Sequence, residues 1–334
     1  MSIGLLFVVV LVCASIFVNG WTDSPNAIAT VVSTRVLSPK FAIGFGAFFN
    51  LLGVLLMGTA VASTVANIVN IGSGSEALVT LGAAQLSIVI WSVSAWRFGI
   101  PTSESHALIA GLMGAGMSLN GFDAFQWGPI QKVLFGLIVS TVVGFGLGFI
   151  ATRLIARICR NVSRRPANKF FSGGQVISAA FMAFSHGAQD GQKFMGILYL
   201  ALVIGGVFNL PADGNMDIPF WIMLMCSLIM ALGTSVGGYR IIKSMGMDMV
   251  NLEKYQGFSA EIVASGSMIV ATLFGIPLST TNTKATAMMG AAASNGLKSV
   301  NWGIAKDMVI AWVLTFPACM TLGCAFAYVF RLIF

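Results

Sequence analysis

Two aspartates stand inside long apolar runs, Asp23 in "NGWTDSPN" (19–26) and Asp190 in "HGAQDGQK" (186–193). A carboxylate at membrane depth costs roughly 2.5–3.5 kcal/mol on insertion scales, so one that persists there has something to bind. Its neighbours are neutral oxygen-bearing groups: Asn19, Thr22 and Asn26 in the first segment, Gln189 and Gln192 in the second. Such a shell suits a hard cation such as Na+, and a buried carboxylate can equally carry a proton. Asn19, Asp23, Asn26, Gln189 and Asp190 are therefore the candidate coupling-ion residues. Lys193 follows Asp190 by three and can either pair with it along a helix or snorkel to the interface. His106 and His186 are the only histidines, and either could titrate in a proton-coupled cycle. Five cysteines without metal-type spacing give no metal site and no disulfide framework, and no cofactor is expected.

A second pair of segments is closer still: "FGIPTSESHALIAGLMGAG" from Phe98 and "FGIPLSTTNTKATAMMGAA" from Phe274. Each reads as a turn that opens a helix with hydroxyls and free backbone amides. A helix N-terminus carries roughly +0.5 of an elementary charge, and its amides hold phosphate or carboxylate groups. Two such tips meeting near the bilayer midplane make an oxyanion cradle from Thr102, Ser103, Ser105, Ser279, Thr280 and Thr281, with Asn282 beside them. Glu104 repels an anion there unless it is protonated or faces a cation. With His106, His186 and Lys193 it is a candidate for a gating or proton role.

The elements that position these groups are membrane spans. Of 334 residues 57% are hydrophobic and only 9% charged, with a mean hydropathy of +0.90, which excludes an ordinary soluble domain. The expected architecture is an all-α polytopic membrane protein of two inverted repeats, 1–152 and 171–334, joined by a basic cytoplasmic loop, 153–170. Each repeat has an interrupted helix (3–37; 171–207), spanning helices (41–68 and 133–152; 219–239 and 307–333) and a re-entrant Pro-Ser/Thr hairpin (77–118; 258–294). The interrupted segments are too long for one straight helix, so part of each is expected to be unwound or interfacial. Three crossings per repeat invert the second copy. The positive-inside rule then puts Arg35, Lys40, Arg240, Lys243, Lys254, Lys298, Lys306 and the basic loop in the cytoplasm. Glu76, Asp123, Asp213, Asp217 and both termini fall outside. A nucleic-acid role for the basic stretch is excluded by the spans beside it.

With the two Asp motifs, the two Pro-Ser/Thr tips, and "GTSVGGYRIIKSMG" (233–246) leading to "QGFSAE" (256–261), the chain resembles the inorganic phosphate transporter (PiT) family of low-affinity phosphate permeases over nearly its whole length. The resemblance implies inverted repeats, two hairpins, a central phosphate site and a homodimer. Gln189 replaces the family's usual Asn, Thr22 stands where proton-coupled bacterial members have His, and Glu104 where Ser is common. The expected function is symport of inorganic phosphate, alone or as a metal–phosphate complex, with H+ or Na+ across the cytoplasmic membrane. A sulfate permease of the same fold and an anion channel are the alternatives, and nothing in the chain has the spacing of an enzyme's catalytic groups.

Overall fold

The computed structural model describes residues 2–68, 74–209 and 216–333; Asp213, expected on the outer side, lies outside them. Helix runs nearly throughout, and the described residues hold no strand beyond an isolated antiparallel bridge between Val250 and Val300. The helices are α1 (Ile3–Thr22), α2 (Pro25–Ser33), α3 (Pro39–Leu56), α4 (Ala60–Ala66), α5 (Ser75–Phe98), α6 (Glu104–Asn120) and α7 (Trp127–Ile158), then α8 (Arg164–Ile204), α9 (Phe220–Val236), α10 (Tyr239–Lys243), α11 (Lys254–Leu273), α12 (Thr280–Ala293) and α13 (Trp302–Ile333). Among the described residues five segments are long and apolar enough to cross a membrane, and α9 with the segment Tyr239–Asp248 makes a sixth bent by 66°. The chain is thus a multi-pass membrane protein.

The first interrupted segment breaks between α1 and α2. Pro25 causes the break: it has no N–H, its ring excludes the carbonyl four residues back, and its fixed φ suits the first turn of a new helix. The second interrupted segment does not break. Against expectation, α8 runs 41 residues without interruption through "HGAQDGQK", because that stretch holds no proline and its polar side chains find partners without giving up a backbone bond. Three further boundaries differ. The span expected over 41–68 is split into α3 and α4 at Gly58, whose φ is 78°. The basic segment is mostly helix, with α7 ending at Ile158 and α8 starting at Arg164, since Arg, Lys and Ala sustain a helix. α5 has 24 residues, about 36 Å, and meets the length and composition of a full span, whereas α11 has 20.

Small residues bring the site's helices together. α3 and α8 touch backbone to backbone: a Cβ on Gly53 would lie 1.9 Å from the Phe184 carbonyl oxygen, and one on Gly187 would lie 2.1 Å from that of Asn50. This close approach is the usual way helices associate in lipid, where burial of apolar surface gives no net drive. α12 lies against α7 and α11, and α6 against α5 and α13; every residue of α12 is buried.

Gly187→Val places side-chain atoms against backbone that cannot yield. It is expected to destabilise by roughly 1–3 kcal/mol or more, read as a lower melting temperature in detergent, while Gly146→Ala, with nothing within 4 Å of the added Cβ, leaves the melt unchanged.

Candidate functional site

The α1–α2 break, the middle of α8 and the N-termini of α6 and α12 converge. At each tip a serine caps its own helix, Ser103 Oγ accepting from the His106 amide at 3.3 Å and Ser279 Oγ from the Asn282 amide at 3.1 Å. The same two hydroxyls bond each other across the tips at 2.8 Å, so the helix ends meet head to head. A helix leaves its first amides without internal partners, here those of Glu104, Ser105, Thr280 and Thr281.

The two aspartates are bound by these tips. Asp23 accepts from Asn26, from Thr281, and from Thr280 at 3.1 Å. Asp190 accepts from Asn19 at 3.0 Å, from Thr280 at 3.2 Å and from Lys193 at 2.7 Å, and His186 Nε2 stands 3.5 Å from its Oδ2. Thr280 thus reaches both carboxylates, one from each half of the chain. The Thr281 hydroxyl also lies 3.1 Å from the Thr102 carbonyl, an alternative acceptor for its single proton, and Ser105 donates to the Leu278 carbonyl at the same distance. Asp23 and Asp190 are 2% and 1% exposed, so the site is sealed from solvent in this conformation.

Several expected residues take other roles. Lys193 does not snorkel; it is buried with its ammonium on Asp190. Gln189, expected in the coupling-ion shell, instead pins the second tip, donating to the Ile276 carbonyl at 3.1 Å and accepting from the Leu278 amide at 3.2 Å. Gln192 bridges the α3–α4 break, accepting from the Val61 amide and donating to the Met57 carbonyl. Both amides serve backbone groups that a turn within the helical bundle leaves without partners. Thr102 contributes its carbonyl to the cluster rather than its hydroxyl. His106 packs on the Phe316 ring at 5.1 Å. Glu104 is buried and accepts from Thr22, which brings a third carboxylate into the cluster. Asn282, also expected in the cradle, is buried, and its Oδ1 has no hydrogen-bond partner.

Sequence reasoning missed a second buried cluster, one turn further along α12. Lys284 lies 3.6 Å from Glu261, both fully buried, and donates to Thr30 at 3.0 Å; Glu261 accepts from Thr30 and Ser178. The signal was present, since each is a charged residue in an apolar run, the same feature that singled out Asp23. Asn50 was also missed: it donates to Ser24 at 2.8 Å, anchoring the α1–α2 break to α3.

Asp23, His186 and Asp190 each bring one donor atom to within 4.8 Å of the others, a grouping open to a cation, although Lys193 already occupies one oxygen of Asp190. A sealed ionic site between two opposed helix ends, inside a multi-pass bundle, is the arrangement of a solute carrier and not of an enzyme. Comparison with known proteins agrees. The model of the phosphate transporter family matches residues 19–167 and again 159–323. A protein of Bacillus subtilis (strain 168) described as "Probable low-affinity inorganic phosphate transporter" is 37% identical over 99% of this chain and 98% of its own length, and one from Rhizobium meliloti (strain 1021) with the same description is 36% identical over 93% and 92%. A solved structure, "The sodium-dependent phosphate transporter", superposes with a TM-score of 0.91 at 21% identity, covering all of both chains. The chain belongs to the phosphate transporter family.

Ser103→Ala and Ser279→Ala should each cost about 1 kcal/mol as lost caps. Because the hydroxyls also bond each other, the double variant is expected to lose measurably less than the two single losses combined, in a thermal-unfolding mutant cycle; strict additivity would mean that the tips do not meet. In the second cluster, Lys284→Met alone leaves Glu261 uncompensated and should destabilise by about 3–5 kcal/mol, with most of that recovered in Lys284→Met/Glu261→Gln.

Proposed function

We propose that this phosphate transporter is a secondary symporter that carries inorganic phosphate between the tips of α6 and α12 together with Na+ held at Asp23. The observation that carries this reading is the surplus of buried carboxyl groups over ammonium groups. Asp23, Asp190 and Glu104, when ionised, face one ammonium, that of Lys193. Bringing a phosphate dianion into such a site is prohibitive unless cations enter with it. An anion channel has no use for paired buried carboxylates, since they would repel its ions.

The opposed tips supply what phosphate requires: amides at two positive helix ends and the hydroxyls of Ser103, Ser279 and Thr280. Asp23 is surrounded by Thr280, Thr281 and Asn26, whose own Oδ1 is buried without a partner, and these neutral oxygens fit Na+. The sodium dependence named for the structural neighbour is consistent with this. Protons are the second reading, favoured by Glu104 as a third carboxylate in the same space. A divalent ion travelling with phosphate has weaker support, because Lys193 holds Asp190.

The two halves act in this reading as inverted repeats that rock about the site to alternate access. Two observations support it: the family model matches each half separately, and the bonds of Thr281 to Thr102 and of Ser105 to Leu278 join corresponding positions of the two tips. The cytoplasmic membrane, outward termini and a homodimer belong to the same proposal; the basic residues on either side of the α7–α8 connection support the orientation.

The test is uptake of labelled phosphate into proteoliposomes, with sulfate and arsenate as competitors, under a Na+ gradient or a pH gradient. Phosphate is expected to accumulate against its gradient when Na+ is higher outside, arsenate to compete and sulfate not to. Asp23→Asn and Asp190→Asn should each lower coupled uptake by about a hundredfold or more, roughly 2.7 kcal/mol, in protein that still melts cooperatively. Flux that only ever runs downhill would reject symport, and accumulation driven by pH alone would replace Na+ with H+.

A further inference from the structure

The two halves build the same oxygen cage, and only one of them contains an ammonium. In the first half, the residue three after the aspartate is Asn26, which donates to Asp23 and, at 3.1 Å, to Thr281, whose hydroxyl lies 3.1 Å from the Thr102 carbonyl. In the second half, the residue three after the aspartate is Lys193, which donates to Asp190 at 2.7 Å, to Ser105 at 2.5 Å and to the Leu278 carbonyl at 2.7 Å. The correspondence holds position by position. Thr281 and Ser105 each stand four residues after the tip proline, and Thr102 and Leu278 each stand one after it.

A lysine ammonium has three donors and no acceptor. Here all three are directed at oxygens of the kinds Na+ takes, one carboxylate, one hydroxyl and one carbonyl. The ammonium is 2% exposed at the residue level and tied to the protein by its own stem, so it neither leaves nor exchanges. In the first half the equivalent oxygens of Asp23, Thr281 and Thr102 have only a neutral amide among them. Turning the Asn26 amide by half a rotation presents Oδ1, now without a partner, to the same point.

We propose that Lys193 is a tethered cation that fills the second half's cation position, so that the transporter takes one cation from solution per cycle, at Asp23, Asn26, Thr281 and the Thr102 carbonyl, where a symmetric site would take two. The inference rests on the symport reading and adds its stoichiometry. An ammonium that returns with the empty carrier moves no net charge, so the arrangement lowers the number of cations spent on each phosphate. It also makes Lys193→Asn the substitution that restores the symmetry, since it recreates at Asp190 the side chain found beside Asp23.

The experiment uses the full chain in proteoliposomes with the membrane potential clamped. Phosphate uptake by the unaltered protein should depend on Na+ with a slope of one, and Lys193→Asn should carry one more positive charge per phosphate, read as a shift of the zero-flux potential. A slope of two in the unaltered protein, or an unchanged charge per phosphate in Lys193→Asn, overturns the proposal. Melting temperatures titrated with NaCl against choline chloride, without phosphate, read the sites directly. One Na+ is expected in the unaltered protein, two in Lys193→Asn, and one in Lys193→Met, which removes the charge without supplying an oxygen. One site in both the unaltered protein and Lys193→Asn overturns the proposal even if uptake persists. The one-against-two pattern without any phosphate accumulation upholds the proposal and rejects the transport reading instead.

Discussion

Everything at the centre of this protein depends on placing three carboxylates out of water with a single ammonium among them. Charge in a low-dielectric interior is tolerated only where opposite charge or several hydrogen bonds meet it. The surrounding architecture supplies those bonds: Thr280 reaches both aspartates, Asn19 and Asn26 take one each, and Thr22 takes Glu104. When ionised, these carboxylates outnumber the ammonium, and that excess is the physical basis for reading the molecule as a carrier whose anionic cargo enters with cations.

The helices exist in the arrangement that this cluster requires. Pro25 breaks α1 from α2 so that Asp23 sits at the end of α1, while α8 stays whole and brings Asp190 from its middle. Glycines at the α3–α8 crossing remove the side-chain bulk that would hold those backbones apart. The tips of α6 and α12 are joined through Ser103 and Ser279, and Gln189 and Gln192 secure the turns around them. A site made of opposed helix ends in two halves of a bundle can open to either side by relative movement of those halves without rebuilding either end.

Much of the site could be read from residue types alone. Asp23 and Asp190 stand out because a carboxylate well inside an apolar run is costly, and the two Pro-Ser/Thr tips because they recur in order. Glu261 and Lys284 carried the same signal and were passed over, since nothing local marks them as partners 23 residues apart. Gln189 was expected in an ion shell because Asp190 is its neighbour in sequence, but the backbone groups that it and Gln192 bond belong to other segments of the chain.

The sequence by itself determined that this chain lies in a membrane, that Asp23 and Asp190 stand in its apolar runs, and that the motifs around them recur in order. These follow from hydropathy, from the energy of moving charge out of water and from repetition, none of which needs coordinates. Only the tertiary structure decided who satisfies whom. Whether Lys193 reached the interface or Asp190, and whether α8 broke, depended on groups 85 to 90 residues distant, at Ser105, Leu278 and Thr280. Burial sets the requirement that a polar group be paired, and the packing of distant helices chooses the partner.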